Sequence, residues 1–98
     1  MSGRPTHNLN QFKAAMAHNL RWTGAARTGA AEIGFGVSDV KAIIATIDSA
    51  MFYKTMPSEK RVGLMQDVYH VPSRAGVLYV KFTDDGVAEF MLLSFKRK

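Results

Sequence analysis

The spacing of apolar residues changes halfway along the chain, and this change restricts the possible fold more than any other feature. Between residues 9 and 16, and again between residues 40 and 47, apolar side chains recur three and four positions apart, as on one face of a helix. From residue 77 to residue 83, the apolar set Leu78, Val80 and Phe82 alternates with a more polar set, which is strand spacing. This order predicts an α+β fold, in which N-terminal helices pack on a C-terminal twisted antiparallel sheet.

Capping residues set the expected ends of the helices. Thr6 or Asn8 can cap the first helix, because their side chains accept backbone N–H groups. Gly34 is placed to end a second helix over residues 25–33. Ser38 is expected to cap the third helix.

Three strands are predicted in the second half of the chain, over residues 62–71, 77–83 and 87–95. Residues 52–54 are expected to lead into the sheet, and Pro57 to close that segment. Pro72 is expected to end the first strand, and the Asp-Gly pair at residues 85–86 predicts a hairpin between the last two. Because residues 90–93 are apolar on both parities, the last strand is expected at the sheet centre and the first at an edge.

Length and composition exclude several kinds of site. With 98 residues the chain has room for one hydrophobic core, so residues 1–98 are expected to form a single domain. There is no cysteine, which excludes disulfides, thiolate zinc sites, iron–sulfur clusters and a cysteine nucleophile. The three histidines, His7, His18 and His70, do not have the spacing of metal ligands. The sequence therefore predicts neither a metal nor a cofactor.

The charge of the chain favours an anionic partner. The formal net charge is +5, and a positive domain attracts nucleic acid, although the same charge also serves solubility. The N-terminal residues lack the apolar segment of a secretory signal, and no apolar run is long enough to span a bilayer. We therefore expect a cytoplasmic protein without a membrane partner.

Polar side chains occur within the otherwise apolar strands. Parity puts three pairs each on one face of a strand: Gln66 with His70, Tyr79 with Lys81, and Ser94 with Lys96. If the three faces coincide, one side of the sheet carries cations and proton carriers, and Lys54 joins them from the segment entering the sheet. Such a face suits metal-free RNA cleavage, which needs a base, an acid and cations for the phosphate. An ordinary solvated sheet face is the alternative interpretation.

These residues also carry a resemblance to a known family. The chain resembles the motility quorum-sensing regulator (MqsR) toxins in four segments: Phe52-Tyr53-Lys54-x-Met56, Gln66-Asp67-Val68-Tyr69, Tyr79-Val80-Lys81 and Ser94-Phe95-Lys96-x-Lys98. The resemblance covers nearly the whole chain, and its specific part is residues 52–98.

The resemblance implies the toxin of a type II toxin–antitoxin pair, with a RelE/YoeB-like fold. Members of that family are mRNA endoribonucleases that favour GCN-type sites such as GCU and act without the ribosome. The residues implicated in catalysis correspond to Lys54, Gln66, Tyr79 and Lys96, and the candidates for RNA binding around them are Met56, His70, Lys81, Arg97 and Lys98. The implied partner is an MqsA-like antitoxin, with a zinc-binding N-terminal domain and a helix-turn-helix C-terminal domain.

The sequence departs from the family at two places. The family usually has arginine at the position of His70, so this chain exchanges a permanent cation for a side chain that can carry a proton. The loop from Thr55 to Met65 also diverges, and such loops contribute to base preference. Two other functions stay open at this point: a non-catalytic RNA- or DNA-binding module of the same fold, and a regulatory protein acting through a protein interface.

Overall fold

In the computed structural model, which describes residues 3–86 and 89–98, helices precede strands along the chain. The helices are α1 (Leu9–His18), α2 (Gly24–Glu32) and α3 (Val37–Thr46), followed by a 3-10 turn over Ser49–Met51. The strands are β1 (Phe52–Pro57), β2 (Met65–Ser73), β3 (Gly76–Asp84) and β4 (Phe90–Arg97). They form one antiparallel sheet in the order β1-β2-β3-β4, which confirms the predicted α+β class. No helix in this described part of the chain is long and apolar enough to cross a bilayer.

All three predicted helix ends can be compared with the structure. Gly34 directly follows Ile33, the C-cap of α2, and has a φ of 76°, so it ends this helix as predicted. The Asn8 side chain accepts a backbone N–H of the first turn of α1 at 2.9 Å, so Asn8 rather than Thr6 is the cap. The expectation for Ser38 is wrong, because α3 already begins after Gly36. The Asp39 carboxylate accepts the backbone N–H of Gly36 at 2.9 Å, and this bond fixes the earlier start.

β1 is an additional strand that the sequence pattern does not predict. The segment expected only to lead into the sheet pairs with β2, from Lys54 opposite Val68 to Pro57 opposite Met65. β1 has no clear alternation of apolar residues, so its place depends on hydrogen bonding to β2 rather than on burial of one face.

The other strands keep the predicted order with shifted ends. Pro72 does not end β2 but lies within it, exposed and opposite Val77 near the end of the hairpin. The Ser73 hydroxyl donates to the Gly76 carbonyl at 2.7 Å and closes this hairpin. β4 follows β3 as its antiparallel neighbour, as the hairpin prediction requires; Val87, its expected first residue, lies outside the described residues.

β4 lies at one end of the sheet, so the prediction that it is central is wrong. Other chain covers its outer edge, and the apolar residues of its second face, Met91 and Leu93, line surface cavities. Leu92 donates its N–H to the Arg21 carbonyl at 2.9 Å, and Thr23 donates its N–H to the Leu92 carbonyl at 3.0 Å. Trp22 thereby forms a parallel bridge with Leu92. β2, the expected edge, pairs with both β1 and β3, so β1 is the strand at the end of the sheet opposite β4.

The hydrophobic core lies between the helices and one face of the sheet. Phe12 of α1 stacks on Phe82 of β3 with ring centroids 3.7 Å apart. The helices contribute Met16, Ala26, Ala30, Val40 and Ile44, and the strands contribute Tyr69, Val71, Leu78, Val80, Leu92 and Phe95. In β2 and β3 these core residues alternate along the strand, so the residues between them belong to the opposite face. In β4 a register shift opposite Lys81 and Phe82 lets Leu92 and Phe95, three residues apart, both face the core.

Asp67 holds the N-terminal segment on the helix-covered side of the sheet. Its fully buried carboxylate accepts the backbone N–H groups of Thr6 at 3.0 Å and His7 at 2.8 Å. A buried carboxylate is tolerated when such donors satisfy its oxygens. Asp67 is therefore a structural residue, whereas its neighbour Gln66 belongs to the other face.

Candidate active site on the open sheet face

Four strands bring the candidate residues to the face of the sheet that lies opposite the core, here called the open face. In β2 and β3, His70 is directly opposite Tyr79, and Tyr79 is opposite Lys96 of β4. Direct partners in an antiparallel pair project to the same side. Strand parity adds Met56, Gln66, Val68, Lys81 and Ser94, with Lys54 opposite Val68. The condition that the strand faces coincide is thus met.

The centre of the open face is a row of three rings, Tyr53, His70 and Tyr79, here called the aromatic row. The rings of Tyr53 and His70 are stacked, with centroids 4.1 Å apart and planes 22° apart. His70 and Tyr79 have centroids 6.3 Å apart. The register of β1 shifts between Phe52 and Lys54, and this bulge is what allows Tyr53 to reach His70 while Lys54 also keeps to the open face.

Two lysines flank the aromatic row, one at each end. The Lys54 Nζ lies 5.4 Å from the Tyr53 ring centre, and the Lys96 Nζ lies 5.5 Å from the Tyr79 ring centre. Both distances permit cation–π attraction, which is worth about 0.5–1 kcal/mol at exposed sites. The two ammonium groups are therefore positioned on either side of His70 and Tyr79, and neither forms an ion pair with a carboxylate of residues 3–86 or 89–98.

The electrostatic environment of the aromatic row is positive. The strand carboxylates of the described chain, Asp67 and Asp84, both belong by parity to the core side. Burial lowers the pKa of His70 below its ordinary value, and the positive charges of Lys98 and Lys54 lower it further. The imidazole is therefore mainly neutral at neutral pH, which leaves a ring nitrogen free to accept a proton.

A cavity of about 340 Å³ adjoins the aromatic row on the same face. Gln66, Lys81 and Ser94 line it from the strands. The other walls are formed by residues 58–60 of the loop after β1 and by Thr23 and Ala25 at the start of α2. Lys81 is two residues from Tyr79 on the same strand, or ~7 Å, so the cavity and the aromatic row are neighbouring parts of one site.

The remaining candidates for RNA binding separate into two groups. Met56 is half-buried opposite Gln66, beside the cavity. Lys98 is close enough to His70 to affect its pKa. Arg97 is the exception: it pairs with the core residue Leu78, and its Nε donates to the Ala75 carbonyl at 3.0 Å. Parity and this hydrogen bond separate Arg97 from the open face.

Two parts of the site were not found from the sequence. Tyr53 reaches the aromatic row only because of the bulge in β1, and its one sequence signal is an aromatic residue next to Lys54. Thr23 and Lys60 line the cavity through tertiary packing, which leaves no local pattern. No three His, Asp or Glu residues come together as a candidate metal site anywhere in residues 3–86 and 89–98.

Helices cover one face of the sheet, and the other face is cationic and aromatic. This arrangement defines an α+β protein with a surface suited to binding a polyanion that contains aromatic rings. Comparison with protein families then identifies the family. Residues 4–97 match the family described as motility quorum-sensing regulator, toxin of MqsA. The match covers almost the entire chain, so the protein belongs to this family, and the resemblance found in residues 52–98 is confirmed. It is a toxin of a toxin–antitoxin system, and its partner is an antitoxin of the MqsA kind. A search of curated protein sequences found no match.

Proposed function

We propose that this toxin is a metal-independent endoribonuclease that cleaves mRNA and so inhibits translation and growth as part of a type II toxin–antitoxin system. The observation that carries the proposal is the position of His70 and Tyr79 between the ammonium groups of Lys54 and Lys96. A phosphodiester held between these cations would have groups that transfer protons directly beside it.

The chemistry requires no group beyond this chain and the RNA. The 2′-oxygen attacks the adjacent phosphorus, the bond from phosphorus to the 5′-oxygen breaks, and a 2′,3′-cyclic phosphate and a 5′-hydroxyl result. Lys54 and Lys96 would stabilise the charge that develops on the phosphoryl oxygens. Tyr79 carries a hydroxyl that can donate to the phosphate or to the leaving oxygen, and Gln66, which does not titrate, can only hold RNA.

Sequence preference is proposed to come from the cavity beside the aromatic row. Gln66 offers both a donor and an acceptor, and Lys81 a cation, to the edge of an unpaired base. We propose a preference for GCN-type sites such as GCU, as the family resemblance implies. Because Lys60 lines the cavity and belongs to the divergent loop, we expect this chain to have its own preference for the bases that flank such a site.

The test is cleavage of purified, ribosome-free RNA in the presence of EDTA. We expect fragments that end in a 2′,3′-cyclic phosphate and begin with a 5′-hydroxyl. A Lys54→Ala/Lys96→Ala double variant, purified in parallel, controls for contaminating ribonuclease and must be nearly inactive. Activity that disappears with the chelator and returns with Mg²⁺ contradicts the proposal. RNA that is bound but never cut would instead support the non-catalytic binding module.

The antitoxin is proposed to be a two-domain protein with a zinc-binding N-terminal part and a helix-turn-helix C-terminal part. Its gene is expected next to that of the toxin, and the reading frame should contain Cys-x-x-Cys pairs followed by a helix-turn-helix pattern. Since the proposed substrate is mRNA, both proteins would act in the cytoplasm. Adding the purified antitoxin should stop RNA cleavage.

A further inference from the structure

We infer that His70 is the general base of this toxin, which takes the proton from the attacking 2′-hydroxyl. The inference rests on the proposed ribonuclease function and assigns to His70 a catalytic role that a permanent cation such as arginine cannot fill. Arginine stays protonated at every accessible pH and has no acceptor atom.

The place of His70 in the sheet suits a base. Tyr79 is paired directly with His70 on one side and with Lys96 on the other, so the three residues form a line across β2, β3 and β4. Neighbouring strands are ~4.8 Å apart, so His70 and Lys96 are separated by two such steps. In cleavage of RNA the attacking and leaving oxygens lie on opposite sides of the phosphorus. A phosphate centred over Tyr79 would therefore meet His70 on one side and Lys96 on the other.

The imidazole is held in place but has free nitrogens. Stacking on Tyr53 restricts rotation of the ring and covers one of its faces. Within the described residues, neither ring nitrogen of His70 takes part in a hydrogen bond. The ring edge is therefore available to a substrate hydroxyl, and no protein acceptor competes for its proton.

The charges that face His70 keep it in the form that a base requires. Tyr53 and Lys54 face it from β1, Tyr79 from β3, Lys96 from β4 and Lys98 from the end of the chain. None of these groups is a carboxylate, so none of them offers an imidazolium a negative counter-charge. Burial comes first among the causes that lower the His70 pKa, followed by the charges of Lys98 and Lys54.

The proposed step is balanced without a further reactant. A nitrogen lone pair of His70 takes the 2′-hydroxyl proton, and the electrons of that O–H bond form the bond from the 2′-oxygen to phosphorus. The bond from phosphorus to the 5′-oxygen breaks, and its electron pair stays on the 5′-oxygen. That oxygen takes a proton from the Lys96 ammonium or the Tyr79 hydroxyl, and that donor afterwards regains a proton from water. Nothing is oxidised or reduced, and the imidazolium afterwards returns its proton to water.

The direction of the pH dependence follows from this role. The free enzyme is active only when His70 is neutral, so kcat/KM should rise with pH through the His70 pKa and then level off. An unperturbed histidine titrates near pH ~6.5, and the pKa here is lowered, so the rise should lie on the acidic side of that value. If His70 only held phosphate as a cation, cleavage would fall over the same range.

The experiment is a set of pH profiles of kcat/KM, measured in EDTA on one RNA substrate. Wild type is compared with His70→Gln, His70→Arg and Lys98→Gln, and with His18→Gln as a control at an exposed histidine of α1. Both His70 variants should lose roughly 10²–10⁴-fold in rate, the usual contribution of a general base, together with the acidic limb. Lys98→Gln should move that limb to higher pH, because a repelling charge is gone. His18→Gln should superimpose on wild type.

Two further measurements separate catalysis from binding and folding. The NMR titration of the His70 ring in the free protein should give the same pKa as the kinetic limb. RNA with a 2′-deoxy sugar at the cleavage site should bind His70→Gln within a few-fold of wild type. Equal activity of His70→Arg and wild type, or a binding loss as large as the rate loss, would overturn the role of His70 while leaving the ribonuclease intact. Wild type that does not cut RNA in EDTA would overturn both proposals.

Discussion

The backbone of Gly29 in α2 lies directly against the carbonyl oxygen of Phe95 in β4. A Cβ at this position would overlap that oxygen and would also crowd the Cβ of Lys96. A glycine inside a helix usually weakens it, by roughly 1 kcal/mol relative to alanine. Here the glycine permits the close approach of α2 to the strand that carries Lys96, so a local cost in helix stability is offset by packing.

Gly29→Ala is therefore expected to destabilise the protein, although alanine is the better helix former. The overlap involves backbone atoms that cannot rotate away, and overpacking of this kind costs about 1–3 kcal/mol. Gly24→Ala is the matched control, because it lies in the same helix and a Cβ there meets nothing within 4 Å. Urea unfolding of both variants measures the difference. Equal stability of Gly29→Ala and wild type would show that α2 does not pack so closely on β4.

Lys54→Ala and Lys96→Ala should each reduce cleavage strongly while leaving the fold nearly unchanged. Loss of one charge-stabilising group costs about 2–4 kcal/mol of transition-state stabilisation. Lys54 is half-buried and Lys96 is exposed, so neither truncation opens a large cavity. Single-turnover kinetics and thermal unfolding give the two readouts. A Lys96→Ala variant that cleaves at the wild-type rate would remove this residue from the proposed site.

Tyr79→Phe separates the hydroxyl of Tyr79 from its ring. The ring receives the Lys96 ammonium at 5.5 Å and neighbours His70, and phenylalanine keeps both contacts. If the hydroxyl donates a hydrogen bond or a proton during cleavage, the rate should fall by roughly 10²-fold or more, with RNA affinity nearly unchanged. An unchanged rate would make Tyr79 a stacking residue, as aromatic side chains often are for unpaired bases.

Much of the open face could be predicted from the sequence because strand parity is strict. Once β2, β3 and β4 were identified as neighbouring strands, alternation alone put Gln66, His70 and Tyr79 on the side away from the core. The apolar residues Leu78 and Val80, on the other parity of β3, indicated which side faces the core. The sequence thus predicted which residues form the site, and the register of the β2–β3 and β3–β4 hairpins set their positions relative to one another.

What the sequence did not predict depends on contacts between distant segments. Residues that are apolar on both parities, as in residues 90–93, fit either a central strand or an edge strand covered by other chain. Here the cover is residues 21–23, which no local pattern marks as a strand. Tyr53 and β1 were missed for a similar reason, because a bulge in a short strand with no apolar alternation is decided by pairing with β2.

Tyr69→Phe is expected to stabilise the protein by about 1 kcal/mol. The side chain is fully buried, and its hydroxyl has no hydrogen-bond partner among the described residues. A buried polar group without a partner costs about 1–3 kcal/mol, and phenylalanine keeps the ring contacts with Phe52 and Phe82. Urea unfolding at neutral pH is the measurement, and a clear loss of stability in the variant would contradict it.

The same substitution predicts a difference in alkaline solution. Burial, and then the negative charge of Asp67, raise the pKa of Tyr69 from 10.0 to about 12. Between these values the unfolded chain loses a proton that the folded protein keeps, so stability falls as the pH rises. Tyr69→Phe removes this contribution. Its stability should therefore decrease less than that of wild type between pH 10 and 12, and parallel decreases would show that Tyr69 titrates normally.

The antitoxin is expected to bind by adding a strand beside β1. Of the two ends of the sheet, β4 is covered by residues 21–23, whereas no other described strand pairs with the outer side of β1. The end strand of a sheet can pair with a strand of a partner protein through backbone hydrogen bonds, as in β-augmentation. A strand there would also lie next to Tyr53 and Lys54, at one end of the proposed active site.

Hydrogen exchange of the toxin alone and in the complex tests this prediction. The amides of Phe52–Pro57 should exchange more slowly in the complex, and β3 is the internal control because it is paired on both sides. Protection confined to α1, α2 and α3, with no strand amide slowed, would place the antitoxin elsewhere.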